Sequence, residues 1–384
     1  MKKLFCIIGL FVTINFVYGQ VKEMNNAYHD YANGYYDKAK IAIDKAVLNE
    51  ITKNEARAWM YRGNIYLQLA VTKEKEYMGL CTNCGEIAYE AYLKALELDP
   101  SITVNMGITD PKTGLKYCAG VLYDEGVRFY EKQQYEEAYT VAEKAYKADR
   151  SQEHIVYLLG YTAELTKRID IAKTHYNDLI RRKSKDIMPY IRLINIYKLE
   201  NDTTKVLNVA KAGEPIFFSG DSINLDYAVA YSIALSWAGK VDDATAIMNK
   251  ALEKYPTNHI LLINYGSELS NQKKYEEAEK YFKRALEIQP NDLTANYNLG
   301  NCYYNNYVER TKALNDIDDD AEYQREKENI TKLLEQARPY LEKAYELDPK
   351  DRNTLLMLKQ VYANMTGTED ELKTIEEKLN ALGK

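Results

Sequence analysis

Cys81-Thr82-Asn83-Cys84, with Cys118 further along, is the part of this sequence best suited to chemistry. The pair at this spacing suits a redox dithiol, half of a zinc site, or a disulfide that also involves Cys118. A second C-x2-C is absent and no histidine follows Cys84, so haem attachment and a full zinc-ribbon set are not indicated. A structural disulfide among the three is the favoured expectation, and a metal-binding or redox module is the alternative function. His29, His154, His175 and His259 are scattered, form no H-E-x-x-H or Ser/His/Asp grouping, and read as surface or helix-end residues. Asp316, Asp318, Asp319 and Asp320 cluster, but the glycine and the twelfth-position glutamate of a calcium loop are missing. They read as a solvated helix start favoured by the helix dipole. Gly239-Lys240 has no glycine five positions earlier, so there is no phosphate-cradling loop. No catalytic constellation emerges, and the expectation is a protein that is not an enzyme and needs no cofactor.

The elements that hold these residues are dictated by a repeat. Ala138 and Ala172 are 34 residues apart, as are Ala244 and Ala278, Gly126 and Gly160, Gly266 and Gly300, and Pro256 and Pro290. Independent residue types sharing one step point to a stack of similar supersecondary units. Small residues allow two amphipathic helices to approach closely, larger rings fill the gaps beside them, and proline closes the second helix.

This pattern resembles the tetratricopeptide repeat. Asn298-Leu299-Gly300-Asn301-Cys302-Tyr303 and Trp59-Met60-Tyr61-Arg62-Gly63-Asn64-Ile65-Tyr66 match the first half of its motif, with Arg62 in place of leucine. Ala278, Phe282, Ala285 and Pro290 match the second half, as do Ala88, Tyr92, Ala95 and Pro100, and Ala337, Leu341, Ala344 and Pro349. The resemblance implies an all-α fold, a right-handed α-solenoid of about eight helix-turn-helix units over residues 20–384 with a C-terminal capping helix. Insertions at about 67–87 and 305–330 fall at turns inside repeats, and Lys211–Ser222, with Pro215, Phe217 and Phe218, reads as a loop with an aromatic plug.

In such proteins the first helix of each unit lines a concave groove that binds protein or peptide partners. Carried onto this chain, the resemblance implies groove positions Asn64, Tyr123, Tyr130, Tyr157, Tyr161, Asn195, Tyr297, Asn301 and Tyr304. Asparagine can bond a peptide backbone through both halves of its amide, and tyrosine offers a large contact area at low entropic cost. The basic groove residues of members that bind chaperone tails are replaced by Met60 and Tyr297.

Composition agrees with an ordered chain. Of 384 residues 46% are apolar, with 18 Gly and 8 Pro, and 35 Tyr against 7 Phe imply many half-buried ring contacts. With 51 Lys and Arg against 57 Asp and Glu, the net charge of −6 offers no field for a phosphate backbone, so nucleic acid is excluded as a partner. Met1, Lys2 and Lys3 precede an apolar stretch from Leu4 to Tyr18, which reads as a cleavable signal over 1–19. No later segment is apolar enough to span a bilayer. The mature chain is therefore expected in the periplasm or outside the cell, and its composition looks like that of exported repeat proteins of Gram-negative Bacteroidota.

Overall fold

A computed structural model describes residues 22–218 and 223–382; the predicted leader, 1–19, lies outside them. Two compact units divide the chain between Leu193 and Ile194. Among the described residues there are eighteen α-helices, two short 3-10 turns and no strand.

The first unit holds α1 (22–32), α2 (Tyr36–Leu48), α3 (Ala56–Val71), α4 (Cys84–Leu98), α5 (Pro111–Glu131), α6 (Tyr135–Ala148), α7 (Glu153–Leu165), α8 (Ile169–Arg181) and the start of α9 (Met188–Leu199). Helices pair as hairpins, α3 with α4, α5 with α6 and α7 with α8. Helix α4 also meets α5 and α6 meets α7, and α3 touches α5 as α5 touches α7. That set of neighbours is what a stacked helical repeat requires, because each hairpin leaves an apolar flank that only the next one covers.

The second unit continues with α10 (Thr203–Phe217), α11 (Leu225–Trp237), α12 (Val241–Lys254), α13 (His259–Asn271), α14 (Tyr275–Ile288), α15 (Leu293–Ala313), α16 (Asp320–Leu347), α17 (Arg352–Asn364) and α18 (Glu369–Leu382). The same scheme holds: α11 with α12, α13 with α14, α15 with α16 and α17 with α18, and first helices touching from α11 to α13 to α15 to α17.

The turn within a hairpin repeats atom for atom. Lys273 has φ +61, its N–H donates to Ser270 O at 2.9 Å, and Lys274 N–H donates to Leu269 O at 2.9 Å. Gln133, Lys167, Asn201 and Gly239 occupy the same left-handed position and make the same two bonds. This is a Schellman closure, which satisfies carbonyls the helix end would leave unpaired. First helices, after the turn between hairpins, start on a side-chain cap: Asn258 accepts from Leu261 N, Asp292 from Ala295 N and Asp351 from Thr354 N.

Close approach explains the small residues. A Cβ on Gly266 would stand 2.8 Å from the Phe282 ring, and one on Gly300 would stand 2.5 Å from Leu341 Cγ. The alanines that mark the period, Ala138, Ala172, Ala244 and Ala278, are fully buried. Rings from the A-x3-F positions, Tyr92 and Phe282 among them, are among the largest side chains sealed in the two cores.

One expectation is corrected. Lys211–Phe217 is helix, not loop: α10 runs through Pro215 because Val206, Val209, Ala210, Gly213 and Phe217 form one buried stripe, and the proline falls in the last turn. Phe217 and Phe218 do pack as a plug, 4.5 and 5.6 Å from the Tyr227 ring centroid. The second insertion lies between the paired helices α15 and α16. It lengthens α15 and α16, which run to Ala313 and from Asp320 and are joined by the 3-10 turn Leu314–Asp316. Asp319 caps α16 by accepting from Glu322 N, the helix-start role expected for the acidic cluster.

Candidate functional site

Tyr123 and Tyr130 on α5 and Tyr157 and Tyr161 on α7 line one cleft of about 600 Å³ in the first unit. Helical spacing accounts for this. Residues four or seven apart share a face, and consecutive first helices lie side by side. The Tyr130 and Tyr161 hydroxyls are 3.3 Å apart, and the Tyr157 and Tyr161 rings stack at 5.9 Å with 21° between planes. His154 is exposed on α7 and meets Tyr123 edge-on at 4.5 Å.

A guanidinium packs against one of these rings from the next first helix. Arg192, on α9, lies 4.1 Å from the Tyr161 ring centroid and donates to Glu164 Oε1 at 3.2 Å. Tyr176 donates to the other oxygen of Glu164 at 2.7 Å, so this carboxylate is committed. Glu153 and Asp186 also line the cleft and are differently placed. Glu153 accepts from Ser184 Oγ at 2.7 Å and Asp186 accepts from Met188 N at 2.9 Å, yet neither is in an ion pair among the described residues. The rings are therefore bordered by two carboxylates that no basic side chain pairs with among the described residues. Burial pushes the Tyr157 hydroxyl above its ordinary range, so the phenol stays protonated and able to donate.

Other expected groove positions lie elsewhere. Asn64 is corrected: it is 2% exposed, its amide nitrogen donates to Met106 O and to Ile108 O at 3.0 Å, and its oxygen accepts from Tyr92. No arm of it is left to hold a peptide backbone, because the 99–110 connection folds back over it. Asn195 is exposed on α9. Tyr297, Asn301 and Tyr304 are partly buried on α15 in the second unit, where Tyr304 donates to Gln360 at 3.2 Å. Nearby, Asn298 donates to Ser267 at 3.1 Å, so this wall ties α13, α15 and α17 together with polar bonds. His175 is corrected from surface to interior: it is 8% exposed on α8, edge-on to Tyr146 at 4.7 Å.

Cys81 and Cys84 are joined to each other by a disulfide, with Cα atoms 5.6 Å apart, and Cys118 is a separate buried thiol on α5. Cys302 is likewise buried, its sulfur 3.6 Å from Tyr275 O. Among the described residues no group of three or more His, Cys, Asp and Glu is arranged to hold a metal ion, and no helix is long and apolar enough to cross a membrane.

Comparison with known proteins agrees with the hairpins. Residues 261–292 and 330–351 match the tetratricopeptide repeat family, the first segment covering most of α13 and all of α14. The chain thus carries tetratricopeptide repeats. Human protein O-mannosyl-transferase TMTC3 is 42% identical over 62 residues, which is 16% of this chain and 7% of that protein. Among solved structures, TTC0263, a thermophilic TPR protein of Thermus thermophilus, is 19% identical with a TM-score of 0.37 over 48% of this chain and 99% of its own. Yeast Tom70 is 12% identical with a TM-score of 0.47 over 94% of this chain and 85% of its own.

Proposed function

We propose that this chain is an exported tetratricopeptide-repeat scaffold of the cell envelope whose first-unit cleft grips an extended, basic segment of a protein partner. The observation that carries the reading is the meeting of Tyr123, Tyr130, Tyr157 and Tyr161 with two carboxylates, Glu153 and Asp186, that are in no ion pair among the described residues. Stacked rings attract a cation over their faces, and a carboxylate within reach adds direction and charge. A lysine or arginine side chain would meet both, while its aliphatic stem packs on the rings. A nucleic acid would meet uncompensated negative charge at the same place. Export is supported by the basic start and apolar stretch that precede Gln20.

Selection of displayed random peptides against the full chain tests the reading. The expected binders carry Lys or Arg flanked by extended sequence, and they are lost on the Tyr157→Ala, Tyr161→Ala double variant. Binders without basic residues, or binders retained by that variant, would overturn it.

A further inference from the structure

The rings of the first-unit cleft stand at several angles to one another: 21° between Tyr157 and Tyr161, 54° between Tyr130 and Tyr161, and 82° between Tyr123 and His154. A group entering among them therefore meets ring surface on more than one side. The deepest lining is Leu158, Leu179 and Ser184, and the Ser184 hydroxyl already donates to Glu153 at 2.7 Å. The inner end is thus largely apolar. Ring hydroxyls are engaged as well: those of Tyr130 and Tyr161 meet at 3.3 Å, and that of Tyr157 faces the Arg192 guanidinium. Glu153 and Asp186 are both exposed, so their negative charge sits at the mouth. Arg192 does not enter this space as a free cation, because it is paired to Glu164 at 3.2 Å.

We infer that the cleft is an aromatic cage for a trimethyllysine in the partner's extended segment, so that methylation of one lysine there selects the partner. This rests on the reading of the cleft as the seat of a basic segment and adds which form of the cation it takes. A primary ammonium brings three N–H donors, and among rings and leucines they go unpaired at a cost. A trimethylammonium carries the same charge and no donor. Its methyl groups pack on Leu158 and Leu179 while the ring faces of Tyr123, Tyr130 and Tyr157 attract its charge. The two carboxylates at the mouth then act through space, as a field that favours any cation, and the cage supplies the choice between cations.

The test is calorimetric titration of the full chain with one selected lysine-bearing peptide, made in three forms at that lysine: unmodified, trimethylated, and with a neutral side chain of the same shape ending in a tert-butyl group. The trimethylated form should bind at least ~10-fold tighter than either of the others. Tyr123→Leu keeps apolar volume and removes one ring, and it should narrow the gap between the trimethylated and tert-butyl forms by at least ~3-fold with helicity unchanged. Unmodified lysine bound as tightly as trimethyllysine overturns the inference and leaves the basic-segment reading standing. The tert-butyl form bound as tightly as the charged ones overturns both, because the cleft would then ignore charge. A gap unmoved in Tyr123→Leu overturns the cage alone. Should that variant not fold, the comparison of the three peptides on the unaltered chain decides by itself.

Discussion

The Tyr92 hydroxyl donates a 2.7 Å hydrogen bond to Asn64 Oδ1 deep in the first unit, which makes a motif ring and an expected groove residue parts of one internal strut. Asn64 passes the connection on to Met106 O and Ile108 O, so the irregular 99–110 segment is anchored to the α3–α4 hairpin. The fully buried hydroxyl of Tyr92 is pushed well above its ordinary range by that burial.

Replacing Asn64 by alanine should therefore cost about 2–4 kcal/mol, because it strands a buried hydroxyl and two carbonyls. Tyr92→Phe, which removes the hydroxyl alone, should cost about 1 kcal/mol. Urea unfolding followed by circular dichroism reads both, and equal effects would contradict the strut.

Glycine positions on first helices divide by what surrounds them. Gly300→Ala would drive a Cβ into Leu341 and should destabilise by about 1–3 kcal/mol. Gly120, on α5, faces open space, and Gly120→Ala should stabilise by roughly 0.5–1 kcal/mol through helix propensity. Thermal melts of the two variants should move in opposite directions.

Burial pushes the Cys118 thiol up to about 12 and the Cys302 thiol up to about 11. Neither supplies thiolate at neutral pH, so iodoacetamide should label neither in the native chain and both in urea. Peptide mass mapping checks this, and native labelling of Cys118 would show that α5 is not packed as described.

Burial holds His175 below its ordinary value of 6.5, with Asp178 opposing and Arg182 adding to the shift. The folded chain thus refuses a proton that the unfolded chain accepts below about pH 6.5. Its contribution to stability is complete above that pH, falls as pH drops through it, and levels off below the lower folded value. His175→Leu should flatten this part of the stability curve, read as urea midpoint against pH.

The 34-residue step made the hairpins legible, because Gly266, Gly300, Ala278 and Phe282 are fixed by contacts that recur in each unit. Four of the expected groove residues, Tyr123, Tyr130, Tyr157 and Tyr161, do share a cleft, since the repeat geometry that places them is local. Asn64 was not legible as an internal residue: it depends on the non-repeating 99–110 connection, which no periodic pattern describes. Glu153, Asp186 and Arg192 were missed because they sit at helix starts, a loop and the next first helix, so only the stacking brings them together. Lys211–Phe217 misled because a proline and two phenylalanines suggest a loop, although the buried stripe beneath them continues at helical spacing.

Calorimetric titration of a lysine-bearing peptide selected on the full chain, compared with the Glu153→Gln, Asp186→Asn double variant, reaches the central claim most directly. Both substitutions keep the acceptors used by Ser184 and by Met188 N and remove only charge. The account predicts a Kd at least ~10-fold higher for the variant, with the difference shrinking as salt is added. An unchanged Kd with both carboxylates neutralised would contradict it.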